Sequence, residues 1–166
     1  ILARVEQDFF DISEQRHDAM MHWPRAVDAS MEAINKILDM KKGITGIPTG
    51  YPDLDEKLSG MHAGEMIVLA ARPSMGKTAF ALNIAEHVAV KEGLPVVVFS
   101  MEMGASQLAL RLVGSLGRIN QQHLRTGKLA DDEWGRLAEA VEKLGQVQMY
   151  IDETPALTAA ELRARA

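Results

Sequence analysis

A glycine, a lysine and a threonine stand where an apolar run gives way to a helical pattern. They are Gly76, Lys77 and Thr78, at the end of the stretch ARPSMGKT that begins at Ala71. In the phosphate-binding loop G-x-x-x-x-G-K-[ST], backbone N–H groups and the lysine bind nucleotide phosphates, and the hydroxyl binds Mg²⁺. Ala71 occupies the place of the first glycine in that pattern. The spacing predicts a nucleotide site that departs from the pattern at one position.

The flanking sequence favours this interpretation over a chance Gly-Lys-Thr in a loop, where Lys77 would be solvated and Thr78 would cap a helix. A buried strand is predicted over Met66–Ala71, and a helical pattern runs from Phe80 to Val88 and is expected to end at Gly93. Strand, loop and helix are the context that the mechanism needs. The predicted nucleotide-binding residues are Ala71, Arg72, Pro73, Ser74, Met75, Gly76, Lys77, Thr78 and Ala79.

Two places in the chain offer a carboxylate for hydrolysis of a bound nucleotide. Hydrolysis needs an acid that orients or deprotonates the attacking water, and a second acid that holds Mg²⁺. Glu102 follows the apolar run Pro95–Ser100, whereas Asp152 and Glu153 follow the run Val147–Ile151. The ends of both runs meet at the sheet edge where ligands of open α/β sheets bind. The residues alone leave the two assignments nearly even.

The alternation of strand and helix patterns predicts an α/β fold with a parallel sheet. Beside the three runs already given, helices are expected at about 105–117 and 131–144, and a last helix begins at Thr158 with Glu161 at capping-box spacing. Three strands are fewer than a typical sheet contains, so we expect an incomplete sheet. The helix at 131–144 is predicted to bury Trp134, Leu137, Val141 and Leu144.

The N-terminal part of the sequence reads as helical. Near-helical apolar spacing occurs within residues 1–20 and again from Val27 to Leu38. The segment Lys41–Asp55 contains three glycines and two prolines, which is typical of a linker or a turn-rich entry to a second unit. We therefore expect a helical linker region at 1–42 and a second domain at 43–166.

Composition narrows the class of protein. The chain has 166 residues, no cysteine and a formal net charge of −5, so disulfides and thiol chemistry are excluded and a basic nucleic-acid surface is not evident. We expect no membrane span and a cytoplasmic location, and Ile at position 1 suggests a segment of a longer protein. The histidines lack metal-ligand spacing, and the basic group of Arg118, Arg125 and Lys128 is expected to be a solvated face or a subunit contact.

Five stretches of the chain form a specific set: GITGIPTGYPDLDEKLSG (Gly43–Gly60), AARPSMGKT (Ala70–Thr78), VVVFSMEM (Val96–Met103), RTGKL (Arg125–Leu129) and YIDETPALT (Tyr150–Thr158). Together they resemble the DnaB family of bacterial replicative DNA helicases, and Ile1–Arg16 is similar to the region before that family's motor domain. The resemblance spans essentially the whole chain. It implies a RecA-like P-loop NTPase domain, a parallel sheet flanked by helices, of which this chain holds the first half after an α-helical linker.

The resemblance also implies site residues and partners. Lys77 and Thr78 would act on the phosphates of ATP and on Mg²⁺, and Glu102 would be the catalytic base that activates water. The metal-site Asp of the family would lie beyond residue 166, which makes Asp152 and Glu153 structural or secondary. The implied partners are single-stranded and forked DNA, further copies in a homo-hexamer joined through the linker, and a primase and a helicase loader. The implied location is the nucleoid at replication forks.

Two other interpretations remain open at this point. One is a related RecA-like ATPase of recombination or repair. The other, from a different class, is an assembly module that binds partners and catalyses nothing. If the helicase interpretation holds, this chain by itself is expected to be inactive, because the remaining catalytic groups lie in later sequence.

Overall fold

The computed structural model describes residues 22–39 and 43–165. The chain divides into two compact units, Ile1–Gly43 and Ile44–Ala166. The helix expected within residues 1–20 lies outside the described residues.

The first unit contains one described helix, α1, at Trp23–Asp39. Pro24 fits its first turn, where the missing N–H group has no helical partner to lose. Four large apolar side chains spaced by four, four and three residues form one stripe along the helix, here called the α1 stripe. Each of them is exposed: Trp23 by 78%, Val27 by 43%, Met31 by 53% and Ile34 by 47%.

The second unit alternates helices with two strands. Its helices are α2 (Pro52–Leu58), α3 (Lys77–Val90), α4 (Ala105–Leu116), α5 (Gln121–Thr126), α6 (Asp131–Gly145) and α7 (Ala159–Arg165), and its strands are β1 (Val96–Phe99) and β2 (Met149–Asp152). None of the helices in the described parts of the chain is long and apolar enough to cross a membrane. The short helix α5 had no counterpart in the sequence prediction.

The two strands pair in parallel, with Val96 opposite Met149 and Phe99 opposite Asp152. This confirms the parallel arrangement predicted from the alternating pattern. One face of the pair packs its half-buried Val98 and Ile151 against the buried core of Leu82, Leu108 and Leu112, which come from α3 and α4. Residues on the other face, such as Val97 and Tyr150, are exposed.

The prediction of a strand at Met66–Ala71 is wrong. The segment is neither helix nor strand, and its side chains are exposed, by 87% at Met66 and 75% at Val68. A strand is defined by hydrogen bonds to a neighbour, and within the described residues no strand is hydrogen-bonded to this segment. Instead, a cavity of about 670 Å³ is lined by both Leu69 and β1. The segment has strand-forming residues without a pairing partner.

Helix α6 forms where it was predicted but buries a different face. Trp134 and Val141 are exposed, Leu137 and Leu144 are half-buried, and the buried residues are Glu133 and Ala140. The Glu133 carboxylate accepts a hydrogen bond from the backbone N–H of Ala130 at 2.9 Å and pairs with His123 Nδ1 at 2.9 Å. These bonds, chiefly the one from Ala130, lower the pKa of Glu133. They make burial of an acid acceptable.

The ends of the other predicted helices fit the structure closely. Helix α7 begins after Thr158, whose N–H donates to Glu161 Oε2 at 2.9 Å while the Glu161 N–H donates to Thr158 Oγ1 at 3.3 Å. This is the capping box that the spacing predicted. Helix α3 ends at Val90, three residues before the glycine expected to end it.

The entry to the second unit is held by a buried polar contact. Asp55 on α2 accepts hydrogen bonds from both the N–H and the hydroxyl of Thr49, each at 2.7 Å. Next to it, Tyr51 stacks on Phe80 of α3 with ring centroids 4.8 Å apart, and its hydroxyl accepts from Asn83 at 3.2 Å. The entry loop is thereby fixed to the helix that follows the phosphate-loop sequence.

Gly50 makes a further contact between the entry loop and α3, and this contact can be tested. It has a φ of +86°, and a Cβ built on it would lie 2.6 Å from Cγ and 3.1 Å from Cβ of His87 on α3. Gly64 has a similar φ of +79° with nothing within 4 Å of its Cβ position. Both glycine-to-alanine changes incur the positive-φ penalty, but only Gly50→Ala adds a steric clash of about 1–3 kcal/mol. We expect a lower urea midpoint for Gly50→Ala than for Gly64→Ala, and equal midpoints would contradict the contact.

Candidate nucleotide site

The phosphate-loop sequence forms a tight turn that leads directly into α3. Gly76 is the residue before the helix and has a left-handed φ of +85°, and Ser74 in the same turn has a φ of +64°. The turn is closed by a hydrogen bond from the Met75 N–H to the Arg72 carbonyl at 3.3 Å. The first N–H groups of a helix have no partner within it, so those of α3 point toward the turn. Such an arrangement binds anions.

A cavity of about 480 Å³ opens at this turn. All nine residues predicted to bind nucleotide, 71–79, line it, together with Glu102, Met103 and Arg111. Lys77 is exposed, and Thr78 is half-buried at the second position of α3. Among the described residues, no carboxylate lies within 4.0 Å of the Lys77 ammonium. Its charge is therefore available to a ligand.

Glu102 lies in a short loop between β1 and α4, here called the Glu102 loop (Ser100–Gly104). The Ser100 hydroxyl donates to the Met103 carbonyl at 2.7 Å and accepts from the Met103 N–H at 3.2 Å. The Ser100 N–H in turn donates to the Asp152 carbonyl at 2.8 Å, which ties the start of the loop to β2. The Glu102 side chain is exposed and lines the phosphate-loop cavity.

Asp152 and Glu153 have other partners and line a different cavity, of about 940 Å³, on the exposed face of the strand pair. Asp152 accepts from the Thr154 N–H at 2.9 Å and pairs with Arg165 at 2.6 Å. These contacts with Thr154 and Arg165 lower the pKa of Asp152 to about 2. Glu153 accepts from the Ala105 N–H at 2.6 Å. The structure brings Glu102, and neither member of this pair, to the phosphate loop.

Arg111 was not among the residues predicted for the site. It lies on α4 and lines both the phosphate-loop cavity and a neighbouring cavity of about 660 Å³. A guanidinium next to a phosphate loop can bind phosphate oxygens in a bidentate manner. The sequence signal that could have found it is a single arginine in an otherwise apolar and small-residue helix, ASQLALRLVGSL.

The remaining charged residues singled out in the sequence lie elsewhere. The Arg118 carbonyl accepts a hydrogen bond from Arg136 Nη1 at 2.9 Å, and Arg125 lines the 660 Å³ cavity. Arg118 and Lys128 are exposed. In the described part of the chain, no group of three His, Asp or Glu side chains is arranged to hold a metal ion.

Comparison with known proteins identifies sequence relatives along the whole chain. The replicative DNA helicase DnaC of Bacillus subtilis (strain 168) is 40% identical over 166 residues, which cover 99% of this chain and 37% of the relative. The replicative DNA helicase DnaB of Geobacillus stearothermophilus has the same identity and coverage. The DnaB of Buchnera aphidicola subsp. Baizongia pistaciae (strain Bp) is 41% identical over 170 residues. The chain thus spans little more than a third of the length of these relatives.

Two solved structures share the fold. One, described as an ATPase domain, superposes with a TM-score of 0.76 at 29% identity, over 84% of this chain and 50% of that one. The other is a DnaB-like replicative helicase solved in a study of its interactions with primase. It superposes with a TM-score of 0.74 at 29% identity, over 83% of this chain and 33% of that one. These matches confirm the RecA-like α/β fold. Residues 46–166 match the family model "DnaB-like helicase C terminal domain", and the chain belongs to that family.

Proposed function

We propose that this chain is the first half of the ATP-hydrolysing motor domain of a replicative DNA helicase, preceded by its linker region. The observation that carries the proposal is the shared cavity of the phosphate-loop residues 71–79 and Glu102. One wall offers backbone N–H groups and a free lysine, which suit a phosphate chain. The other wall offers a carboxylate on a loop fixed to the sheet, which suits the activation of water.

The loop residues would bind the nucleotide. Lys77 would contact the β- and γ-phosphates of ATP, and the N–H groups at the start of α3 would donate to phosphate oxygens. Thr78 fits a role at Mg²⁺, because its side chain is half-buried at the second position of α3 in the same cavity wall. Mg²⁺ bound with the nucleotide would neutralise charge that develops on the phosphate oxygens. Arg111 is placed to add a second cationic contact from α4.

Glu102 would act as the general base of hydrolysis. Its carboxylate would accept a proton from the water whose oxygen attacks the γ-phosphorus, while the bond from that phosphorus to the bridging oxygen breaks and ADP leaves. The base must be held at a fixed distance from the attacked atom. The hydrogen bonds between Ser100 and Met103 support this role, because they restrict the loop on which Glu102 is carried.

The action on DNA is proposed from the relatives. The curated relatives are named replicative DNA helicases, and one structural neighbour was solved in a study of interactions with primase. We infer that the full-length protein uses ATP hydrolysis to move along single-stranded DNA and separate strands at the replication fork. A primase and a helicase loader are the expected partners, and the expected location is the cytoplasm, at forks in the nucleoid.

The linker region would join copies of the protein in a homo-hexamer. The α1 stripe of Trp23, Val27, Met31 and Ile34 is an apolar surface, and all four side chains are exposed. Apolar stripes of this kind are normally covered by another surface. Light scattering on the full-length protein measures the mass of the assembly and so distinguishes a hexamer from a monomer.

Strand separation by the full-length protein tests the proposed function. With Mg²⁺ and ATP, we expect it to unwind a forked DNA duplex that carries a fluorophore and a quencher at the fork, and to do so only when ATP can be hydrolysed. A duplex of the same sequence without single-stranded tails is the matched substrate control. Strand exchange between homologous duplexes without unwinding would instead indicate a recombination ATPase. Absence of any ATP turnover by the intact protein would indicate an assembly module.

A further inference from the structure

The start of helix α4 lacks a capping side chain of its own. The residue before the helix is Gly104, and Ala105 is the first helical residue. A side-chain oxygen at this position accepts a hydrogen bond from the N–H of the second or third helical residue, and glycine has none. The N–H of Ala105, the first helical residue, has no acceptor within the helix, so its partner must come from elsewhere in the chain.

That acceptor is Glu153, which is 48 residues further along the sequence. Its Oε2 accepts from the Ala105 N–H at 2.6 Å. Glu153 directly follows β2, so its backbone position is fixed by the pairing of Asp152 with Phe99. A Cβ on Gly104 would come within 3.3 Å of the same oxygen, so a larger residue at position 104 would crowd the contact. Glycine at position 104 therefore leaves room for the Glu153 carboxylate at the start of α4.

The neighbouring acid is already engaged, which leaves this role to Glu153. Asp152 pairs with Arg165 at 2.6 Å and accepts from the Thr154 N–H. Among the described residues, no Lys, Arg or His is within 4.0 Å of the Glu153 carboxylate. The positive end of the α4 dipole is therefore the favourable partner for its negative charge.

We propose that Glu153 is a positioning residue for Glu102. The Glu102 loop is fixed at its start by the pairing of Ser100 with β2 and at its end by the bond from Ala105 to Glu153. Both anchors come from the end of the same strand, β2, so strand and loop form one unit. This inference rests on the proposed role of Glu102. Glu153 acts by restricting where Glu102 can lie and does not itself touch the nucleotide.

The kinetic test is Glu153→Ala in the full-length protein. We expect kcat for ATP hydrolysis to fall roughly tenfold, since a displacement of about 1 Å of a catalytic group costs up to about 10²-fold. KM for ATP should stay within about twofold, because Glu153 does not line the phosphate-loop cavity. Glu161→Ala is the matched control, because it removes a carboxylate that accepts from the Thr158 N–H at 2.9 Å at the start of α7. It should leave kcat and KM unchanged.

The conservative variant Glu153→Gln separates positioning from direct action. Glutamine keeps an oxygen that can accept from the Ala105 N–H, so it should restore most of the rate lost in Glu153→Ala. A residue that held Mg²⁺ or took a proton would lose its function equally in both variants. Hydrogen exchange provides a readout apart from activity: the amide of Ala105 should exchange faster in Glu153→Ala, while that of Thr158 keeps its wild-type rate.

Three results would overturn the inference. They are an unchanged kcat in Glu153→Ala, equal losses in Glu153→Ala and Glu153→Gln, or a weakened nucleotide affinity of the same size as the loss in kcat. Failure of the proposed function is distinguished by Glu102→Gln, because turnover by that variant would reject the base itself. An inactive Glu102→Gln together with a fully active Glu153→Ala would reject only the positioning role.

Discussion

Replacing Lys77 with alanine in the full-length protein is expected to lower ATP turnover by about 10³-fold and to abolish strand separation. Lys77 is exposed at the first position of α3, and it lines the phosphate-loop cavity without an acidic partner in the described structure. A single preorganised donor contributes about 10²–10³ to a rate, and a cation on two phosphates should contribute at the upper end. Nucleotide affinity should fall as well, which titration with a fluorescent nucleotide would measure.

Lys91→Ala is the matched control for that change. Lys91 is also exposed and flanks the other end of the same helix, where it follows Val90. The two substitutions remove the same side chain from the two ends of α3. The helix dipole favours a cation at the Lys91 end over one at the Lys77 end, so Lys91→Ala is the more destabilising change for α3 itself. We expect wild-type turnover and affinity for Lys91→Ala. If Lys77→Ala also kept its turnover, the phosphate-loop assignment would be rejected.

The parts of the fold that depend on local sequence were predictable. The helices α4 and α6 and the strands β1 and β2 lie within a few residues of their expected places, because apolar periodicity and turn residues act over short distances. The phosphate loop was predictable for the same reason, since Gly76, Lys77 and Thr78 are consecutive and the turn they form is closed by their neighbours. A contiguous motif carries its own geometry.

Strand pairing and the choice of which helix face is buried depend on contacts with distant parts of the chain, and these were not predictable from the sequence. The Met66–Ala71 segment has the composition of a buried strand, but strand formation requires a pairing partner, and in the described residues no strand is hydrogen-bonded to it. On α6, the apolar period defined a stripe with Trp134 and Val141. It could not reveal that the helix would instead turn Ala140 and the hydrogen-bonded Glu133 inward.

Residue types and spacing, without the family resemblance, left the two acidic sites nearly even. Glu102 and Glu153 each follow a strand, and the two strands end at the same edge, so their sequence contexts are equivalent. The structure separates them by their contacts: Glu102 lines the phosphate-loop cavity, whereas Glu153 is bonded to the start of α4. No sequence pattern linked Glu153 to Ala105, because the two residues are far apart in the chain and Gly104 carries no capping signal.

Replacing Glu102 with glutamine is expected to separate ATP binding from ATP hydrolysis. Glutamine has nearly the same size, so the exposed Glu102 loop should keep its conformation, with the bonds between Ser100 and Met103 intact. Nucleotide affinity should therefore stay within about twofold, while the loss of a general base should lower turnover by about 10²–10⁴-fold. Fluorescent-nucleotide titration and steady-state ATP hydrolysis measure the two quantities on the same preparation.

Two further variants decide whether the loss in Glu102→Gln is specific. Glu142→Gln makes the same chemical change at an exposed position of α6 that does not line the phosphate-loop cavity, and it should behave as wild type.

Asp152→Asn tests the alternative candidate for the catalytic base. Because the Asp152 carboxylate is bound by Arg165 and Thr154, its loss should not approach the effect of Glu102→Gln on turnover. The reverse order, with Asp152→Asn inactive and Glu102→Gln active, would move the base to the end of β2. That outcome would place the base at a cavity that Lys77 does not line, and would reject the pairing of Glu102 with the phosphate loop.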